Sequence, residues 1–346
     1  MHMADALISP AVGGVMWAAT AGLTAYSARN LKENPDEHRV PLMGVLGAFI
    51  FAAQMINFTI PGTGSSGHLV GAIILSVLLG PYAAFLTMAS VITVQALFFA
   101  DGGLLALGCN IFNMAFFACF IAYPLIYKKI AGERPTSGRI LLGATAAAIV
   151  SVEAGAFMVV LETFFSGISE LPFATFVLLM LPIHLAIGVV EGLITVAVVS
   201  FVWKTHPEIL ALAPAAPGAR VHSHKPLWLG LAAVTVVTAG LLSWFASTHP
   251  DGLEWSIKGV SGKEELAAPR EGAHGATAWI QEHLAFLPDY DFKKPEAAEK
   301  AGPKEEQWPE VSPGKSLAGL LGAAMTLALA GVIGFGLRRY YSHGKG

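Results

Sequence analysis

Nine long apolar stretches constrain the fold of this chain more than any other feature of its sequence. Hydrophobic residues make up 54% of the 346 residues and charged residues only 13%, about half the charged share of a soluble domain. Because a bilayer offers no partners to backbone N–H and C=O groups, such stretches cross it as helices. The stretches lie near 9–28, 41–59, 68–80, 82–99, 109–129, 139–165, 174–203, 226–247 and 316–337.

These stretches fall into two groups separated by a polar segment. The sequence therefore predicts an all-α, polytopic membrane bundle of about seven helices in residues 1–205, a linker at 206–225, and a second module with two transmembrane helices at 226–346. The long loop 248–315 contains "KKPEAAEKAGPKEEQWPE", which lacks apolar periodicity, so we expect a small or partly disordered domain there. The net charge of −3 argues against nucleic acid as a partner.

Lysine and arginine predict the orientation of the bundle. The short loops 60–67, 100–108 and 166–173 contain neither residue type, whereas the loops on the other side contain several. Because basic residues stay on the cytoplasmic side, the N-terminus is expected outside and the C-terminus inside. The linker histidines His206, His222 and His224 are expected to be solvated rather than to form a metal site.

The chain begins "MHMADALISP", and its first two residues offer three adjacent nitrogens. The amine of Met1, the backbone nitrogen of His2 and His2 Nδ1 can close fused chelate rings on one metal ion. A near-planar set of nitrogens suits Ni(II) or Cu(II) better than Zn(II), which prefers a tetrahedron. On spacing alone, a solvated terminal histidine is the favoured interpretation of His2, since many chains begin Met-His.

A second histidine follows the glycine-rich loop "FTIPGTGSSGHLVGA", on the same side of the membrane as the N-terminus. His68 could supply a fourth nitrogen, with Ser65 and Ser66 as possible hydrogen-bonding neighbours. Alternatively, the loop caps the next helix and the histidine is incidental.

A third loop, "FFADGGLLALGCNIFNM", ends in two amides about one helical turn apart. Asn110 and Asn113 could orient a ligand-bearing segment by hydrogen bonds, or they could pack against other helices.

Ionisable residues inside the apolar stretches form a fourth candidate group, because such groups are costly in a membrane and are usually functional. They are Glu153, His184 and Glu191. His184 and Glu191 are two turns apart, about 10 Å, which argues against both binding one metal with His2. A structural role in locking helices together remains open.

Small residues four apart recur in "GATAAAIVSVEAG", and such faces let helices approach closely. The face that includes Ala144 and Ala148 either docks a partner subunit or packs within the bundle.

Together, "MHMADALISP", "IPGTGSSGHLVGAIILSVLLGPYA", "QALFFADGGLLALGCNIFNM" and "LPIHLAIGVVEGLIT" resemble the substrate-capture subunit of nickel and cobalt energy-coupling factor (ECF) transporters. The second module, with "THPDGLEWSIKG", resembles the small accessory subunit of the nickel systems. The resemblance makes 1–205 a metal-capture domain, 206–225 a cytoplasmic linker and 226–346 an accessory module with an extracytoplasmic loop, 248–315.

This resemblance implies a planar four-nitrogen metal site built from Met1, His2 and His68, with Ni(II) as transported substrate and Co(II) as the alternative. It implies no catalytic residues and a multi-pass protein of the bacterial inner (cell) membrane. A transmembrane coupling subunit and cytoplasmic ATPase subunits are the implied partners. The pattern GxxxxGK[ST] is absent, so we expect no ATP site in this chain.

The accessory module is expected to be needed for uptake without contributing a metal ligand. Its motif "HPDGLEW" contains His249, Asp251 and Glu254, which either meet an incoming ion transiently or shape the turn that docks the loop onto the capture domain.

Two other classes of function are disfavoured. An intramembrane metallohydrolase lacks support because HExxH is absent and a metal held by four protein nitrogens leaves no position for an activated water. A passive channel is disfavoured because conduction needs weak, multiple sites rather than a chelate.

Overall fold

The computed structural model describes residues 1–33, 39–133, 135–206, 209–210, 225–293 and 308–343. The chain begins with an irregular segment that contains one 3₁₀ turn, Asp5–Leu7. The helices of the first module are α1 Pro10–Glu33, α2 Arg39–Gln54, α3 Ala72–Leu79, α4 Pro81–Phe99, α5 Leu107–Ala131 (π-helical over Phe112–Tyr127), α6 Ser137–Ser166 and α7 Phe173–Thr205. Those of the second module are α8 Lys225–Gly240, α9 Gly252–Ser261, α10 Gly272–Leu284 and α11 Pro313–His343.

The predicted helical membrane bundle is confirmed. Within the described residues, five helices are long and apolar enough to cross a membrane: α4, α5, α6, α7 and α11. Two shorter apolar helices, Pro41–Gln54 and Pro226–Gly240, accompany them. The core is made of aliphatic and aromatic side chains, and the short α3 is buried along its whole length.

The two modules pack against each other. Helix α11 of the second module lies against α2 and α4 of the first. At Gly322 the helices are so close that an added Cβ would lie 1.9 Å from Phe51 Cζ. A glycine is therefore required where α11 crosses α2.

The predicted third helix, 68–80, begins four residues late. Residues 68–71 stay irregular, and Phe58–Ile60 (β1) pairs with Ser65–Gly67 (β2) in a short antiparallel hairpin. The second helix, expected to reach 59, consequently ends at Gln54. Gly71 has a φ of +80°, which other residues rarely adopt, so it stops the helix from extending backwards.

The loop 248–315 is more ordered over its described residues than its sequence suggested. It contains α9 and α10, and α9 begins with a complete capping box in which Asp251 and Glu254 satisfy each other's backbone N–H groups. The low-periodicity segment overlaps 294–307, which lies outside the described residues, as do His222, His224 and most of the predicted linker 206–225.

The small-residue face of α6 packs within the bundle. Ala144 and Ala148 are both fully buried. Helix α5 packs along α6 on this face, where a Cβ added at Gly155 would lie 2.6 Å from Asn113 O. The hypothesis that this face docks a partner is therefore wrong, because another helix of the same chain already occupies it.

Candidate metal centre

The first three residues of the chain lie inside the protein rather than on its surface. Met1 and Met3 are buried, and Met3 is held by an amide on α5. Met3 N donates to Asn110 Oδ1 at 2.7 Å, while Asn110 Nδ2 donates to Met3 O at 3.1 Å. Asn110 therefore fixes the backbone next to His2, which is the contact that its predicted orienting role requires.

Two glycines of the loop after α4 make room for this segment. Gly103 N donates to Met3 O at 2.9 Å, and a Cβ added at Gly103 would lie 1.8 Å from Asp5 Oδ1. Gly102 has a φ of +79° and approaches Asn110. The loop can therefore lie directly on the N-terminal backbone.

A chain of amide hydrogen bonds selects one neutral tautomer of His2. His2 Nε2 lies 3.1 Å from Gln95 Oε1, and Gln95 Nε2 donates to Gln54 Oε1 at 2.7 Å. Gln54 Nε2 in turn donates to the carbonyl of Val70 at 2.8 Å. Because that carbonyl can only accept, the direction of the chain is fixed and Gln95 must accept from His2 Nε2–H. Burial lowers the pKa of His2, so the neutral ring keeps its lone pair on Nδ1.

The Nδ1 edge of His2 faces a carboxylate. Asp101 Oδ1 lies 3.3 Å from Nδ1, and Asp101 also accepts a hydrogen bond from the hydroxyl of Tyr290. A negative charge at this distance favours a cation at Nδ1.

His68 presents a ring nitrogen that has no partner. Its Nδ1 lies 3.1 Å from the carbonyl of Leu69, which can only accept, so Nδ1 carries the proton. Burial, followed by the positive amine of Met1, lowers the pKa of His68 to about 4, so the ring is neutral at pH 7. Nε2 is buried, bears the lone pair and makes no hydrogen bond. The ring stacks on that of His2, with centroids 5.3 Å apart. A neutral imidazole with its other nitrogen hydrogen-bonded to a carbonyl is the form that binds metal ions.

Glu191 holds the segment that follows His68. Its Oε2 accepts from Val70 N at 2.7 Å and its Oε1 accepts from Gly71 N at 2.8 Å. Both backbone groups would otherwise be buried without partners, because α3 begins only at Ala72. Of the alternatives left open by the sequence, the structure shows the hydrogen-bonding role for Glu191.

We expect Glu191→Gln to destabilise the protein by about 2 kcal/mol, since a charge-assisted hydrogen bond is lost and an amide donor then faces a backbone donor. The thermal unfolding midpoint in detergent measures this effect. Glu170→Gln changes an exposed carboxylate and should leave the midpoint at the wild-type value. Equal midpoints for both variants would show that Glu191 does not secure this segment.

His184 lies next to the proposed ligands. Its Nδ1 bonds to the carbonyl of Met180 at 2.7 Å, whereas its buried Nε2 has no hydrogen-bond partner. A small cavity of about 10 Å³ is lined by Met1, His68, His184 and Asp251, among others. The structure thus separates the two groups that the sequence considered together: His184 borders the site, and Glu191 supports the loop behind it.

The other predicted site residues lie around the centre in different roles. Asn113 donates to Glu162 at 2.6 Å. Ser65 and Ser66 bond to main-chain carbonyls of the second module, Ser66 to His249 at 2.8 Å. Glu153 is half-buried, has one carboxylate oxygen without a partner, and does not line the small cavity.

The second module covers the N-terminal segment. The amine of Met1 donates to Asp251 Oδ2 at 2.8 Å. From α10, Thr277 donates to Asp5 at 2.9 Å and Gln281 donates to the carbonyl of Gly102 at 2.7 Å. The motif "HPDGLEW" therefore docks onto the first module, and one of its carboxylates reaches the chain's own amine.

Both modules line a larger cavity of about 610 Å³ beside the two histidines. His2, His68, Asp101, Asp251 and Glu254 are among its lining residues. Among the residues described by the structure, no cluster of three His, Cys, Asp or Glu side chains could hold a metal ion. The site predicted from the sequence contains only two such side chains, because its other donors are an amine and a main-chain nitrogen.

Three residues that contact His2 directly or through one amide were not predicted from the sequence: Gln54, Gln95 and Asp101. The signal for the glutamines was present, because each is an isolated amide near the end of an apolar helix. A side-chain amide in an apolar helix needs a hydrogen-bond partner, and here Gln54 and Gln95 bond to each other. Asp101 stood in a quoted motif, but its neighbour His2 lies 99 residues away in sequence and gave no hint of their contact.

Comparison with known proteins gives matches over both modules. The family model described as "cobalt uptake substrate-specific transmembrane region" (CbiM) matches residues 2–209, and that of the PDGLE domain matches residues 225–339. A relative from Archaeoglobus fulgidus is 31% identical over 346 residues, which cover 98% of this chain and 99% of that protein. The fused nickel transport protein NikMN of Rhodobacter capsulatus is 32% identical over 312 residues, covering 84% of this chain and 88% of its own.

A solved structure agrees with these matches. The crystal structure of a truncated transition metal transporter is 32% identical, with a TM-score of 0.53, and the match covers 60% of this chain and 100% of that one. Since the first family model spans more than half of the sequence, this chain belongs to the CbiM family of transmembrane metal-uptake components, which are transporters rather than enzymes, and it carries a PDGLE domain behind that region.

Proposed function

We propose that this chain is the substrate-capture component of an ECF transporter and that it binds Ni(II) on the extracytoplasmic side of the membrane. The ligands would be the amine of Met1, the amide nitrogen and Nδ1 of His2, and Nε2 of His68. One observation carries this assignment: the buried Nε2 of His68 bears a lone pair, has no partner, and belongs to a ring stacked on that of His2.

The chemistry of this donor set favours nickel. The nitrogens of Met1 and His2 are joined by short covalent links, so fused rings hold them near one plane, a geometry typical of Ni(II). A deprotonated amide would also cancel one positive charge of the ion, which eases its burial. Cobalt is the second candidate, since the matching family is described by cobalt uptake. Nitrogen ligands bind Ni(II) more tightly than Co(II).

The remaining parts of the proposal concern assembly and topology. With basic residues on the cytoplasmic side, the N-terminus and the cavity beside it would face outward and the C-terminus inward. Residues 1–205 would capture the metal and 226–346 would serve as the accessory module. ATP-driven transport would need a transmembrane coupling subunit and cytoplasmic ATPases from other chains.

Competition between metals tests the proposal directly. The full chain, purified with a C-terminal tag and stripped with chelator, is dialysed against equimolar Ni(II), Co(II) and Zn(II), and bound metal is measured by mass spectrometry. We expect stoichiometric nickel, less cobalt and little zinc, because zinc prefers a tetrahedral site. Excess cobalt would transfer the assignment to cobalt uptake, and a chain that retained none of the three would contradict the capture function.

A further inference from the structure

The two carboxylate oxygens of Asp251 accept hydrogen bonds from different modules. Oδ1 accepts from Leu253 N at 2.8 Å and from Glu254 N at 2.9 Å, so it caps helix α9. Oδ2 accepts from the amine of Met1 at 2.8 Å. The carboxylate of Asp251 therefore forms an ion pair with the amine of Met1.

The position of Asp251 relative to His68 is fixed by the hairpin that precedes His68. Ser66 N donates to the carbonyl of Pro250 at 2.8 Å, which makes a strand-like bridge next to Asp251. Trp255 Nε1 donates to the carbonyl of Thr63 at 3.0 Å. The same β-hairpin thus carries a proposed metal ligand at its end and holds the accessory carboxylate beside it.

Close packing on the other side leaves Asp251 little freedom to move. A Cβ added at Gly252 would lie 3.0 Å from His184 Cε1 and 3.1 Å from Ile187 Cδ1. The glycine after Asp251 therefore lets the start of α9 rest against α7. Its cap, the bridge to β2 and this contact together place the free oxygen of Asp251 at the end of the buried N-terminus.

A buried ammonium group needs a partner, because an unpaired charge away from water is strongly destabilising. We propose that Asp251 is a positioning residue of the metal site: it holds the amine of Met1 among the metal ligands while no metal is bound. The accessory module would thus keep the capture site assembled between transport events. This inference rests on the proposed function, in which that amine binds Ni(II).

Metal capture would then exchange one positive charge for another beside Asp251. The Ni–N bond to Met1 replaces an N–H bond, the amide of His2 loses its proton on coordination, and both protons leave to solvent. An ion of charge +2 with one deprotonated amide carries a net charge of +1, the same as the ammonium it replaces. Asp251 therefore faces one unit of positive charge before and after capture, and the accessory module can remain in place.

The reactivity of the amine tests this role. The full chain with a C-terminal tag is stripped of metal and treated with the N-hydroxysuccinimide ester of acetic acid, and acetylation of Met1 is followed by peptide mass spectrometry. Asp251→Asn and Asp251→Ser keep a helix-capping side chain but remove the charge. We expect both variants to be acetylated about tenfold faster than wild type, since the amine is released from a charge-assisted hydrogen bond. Glu254→Gln neutralises a carboxylate of the same motif that does not touch the amine, and should label at the wild-type rate.

Nickel separates this inference from the proposed function. Added Ni(II) alone should protect Met1 from acetylation in wild type and in both Asp251 variants, because the metal then holds the amine's lone pair. If nickel protects but the metal-free rates of wild type and both variants are equal, Asp251 does not position the amine. If nickel fails to protect wild type, the amine is not a ligand and the proposed site itself is wrong. Variants that label rapidly without metal and are protected by nickel support both.

Discussion

An extension before Met1 is expected to abolish nickel retention while the protein remains folded in the membrane. An added residue converts the amine into an amide and removes both its ligand character and its charge. It also places a peptide where Met1 is now buried, next to Asp251 and the small cavity shared with His184. Loss of a supporting residue around a metal typically weakens binding by about 10–100-fold. Loss of a ligand together with steric exclusion should therefore exceed ~100-fold. Nickel content of the purified protein, normalised to chain concentration, measures the effect.

The matched control is the same extension placed after Gly346, beyond the described end of α11. We expect that variant to retain nickel like the untagged chain. Equal expression and gel-filtration profiles for the two tagged forms would show that the N-terminal extension acts on the site rather than on folding. An N-terminally extended chain that held stoichiometric nickel would eliminate the amine of Met1 as a ligand.

The helices that form from apolar stretches were predictable because their signal is local. Each of α1 to α8 and α11 corresponds to an apolar stretch, and the lack of water in a bilayer forces such a stretch into a helix regardless of its neighbours. Boundaries failed where a distant group decides them. Residues 68–71 look helical in isolation, yet they stay irregular: Gly71 has a positive φ, and Glu191, more than a hundred positions later, accepts the N–H groups of Val70 and Gly71.

The candidate site was predictable only in part for the same reason. His2 and His68 stand in recognisable motifs, and a terminal amine next to histidine is a chelate by covalent geometry alone. In contrast, the pairing of Met1 with Asp251 joins residues 250 positions apart. The direction of the Gln54–Gln95 chain, which determines where His2 keeps its lone pair, depends on a backbone carbonyl at Val70. No sequence pattern encodes these contacts, since each depends on how distant segments of the chain pack together.

These long-range contacts also explain why a small accessory loop could matter for capture. Around Met1 and His2, three parts of the second module touch the first: Asp251 at the amine, Tyr290 at Asp101, and α10 over the segment Asp5–Leu7 and Gly102. The N-terminal segment cannot stay buried on its own, because its amine is charged and an unpaired ammonium favours water. The second module supplies the missing partner groups, so the proposed ligands can stay gathered without a metal ion.

Replacing either histidine is the second change with a large expected effect. His68→Ala removes the nitrogen that is buried without a partner, and His2→Ala opens one chelate ring, so each should lower nickel affinity by more than ~100-fold. Neither should unfold the bundle, because both residues lie outside the spanning helices. His283→Ala is the matched control, since His283 is exposed and bonds only to its own helix at Trp279 O.

Isothermal titration of each metal-free variant with Ni(II), beside its thermal unfolding midpoint, measures the effect. We expect unchanged midpoints within a few degrees, no detectable nickel binding in His2→Ala and His68→Ala, and wild-type binding in His283→Ala. Adding imidazole separates a missing ligand from a collapsed site: in His68→Ala it can enter the space left by the ring and should restore part of the binding. If His68→Ala bound nickel as tightly as wild type, the metal would have to sit elsewhere, and His184, whose free Nε2 borders the same cavity, would be the next ligand to replace.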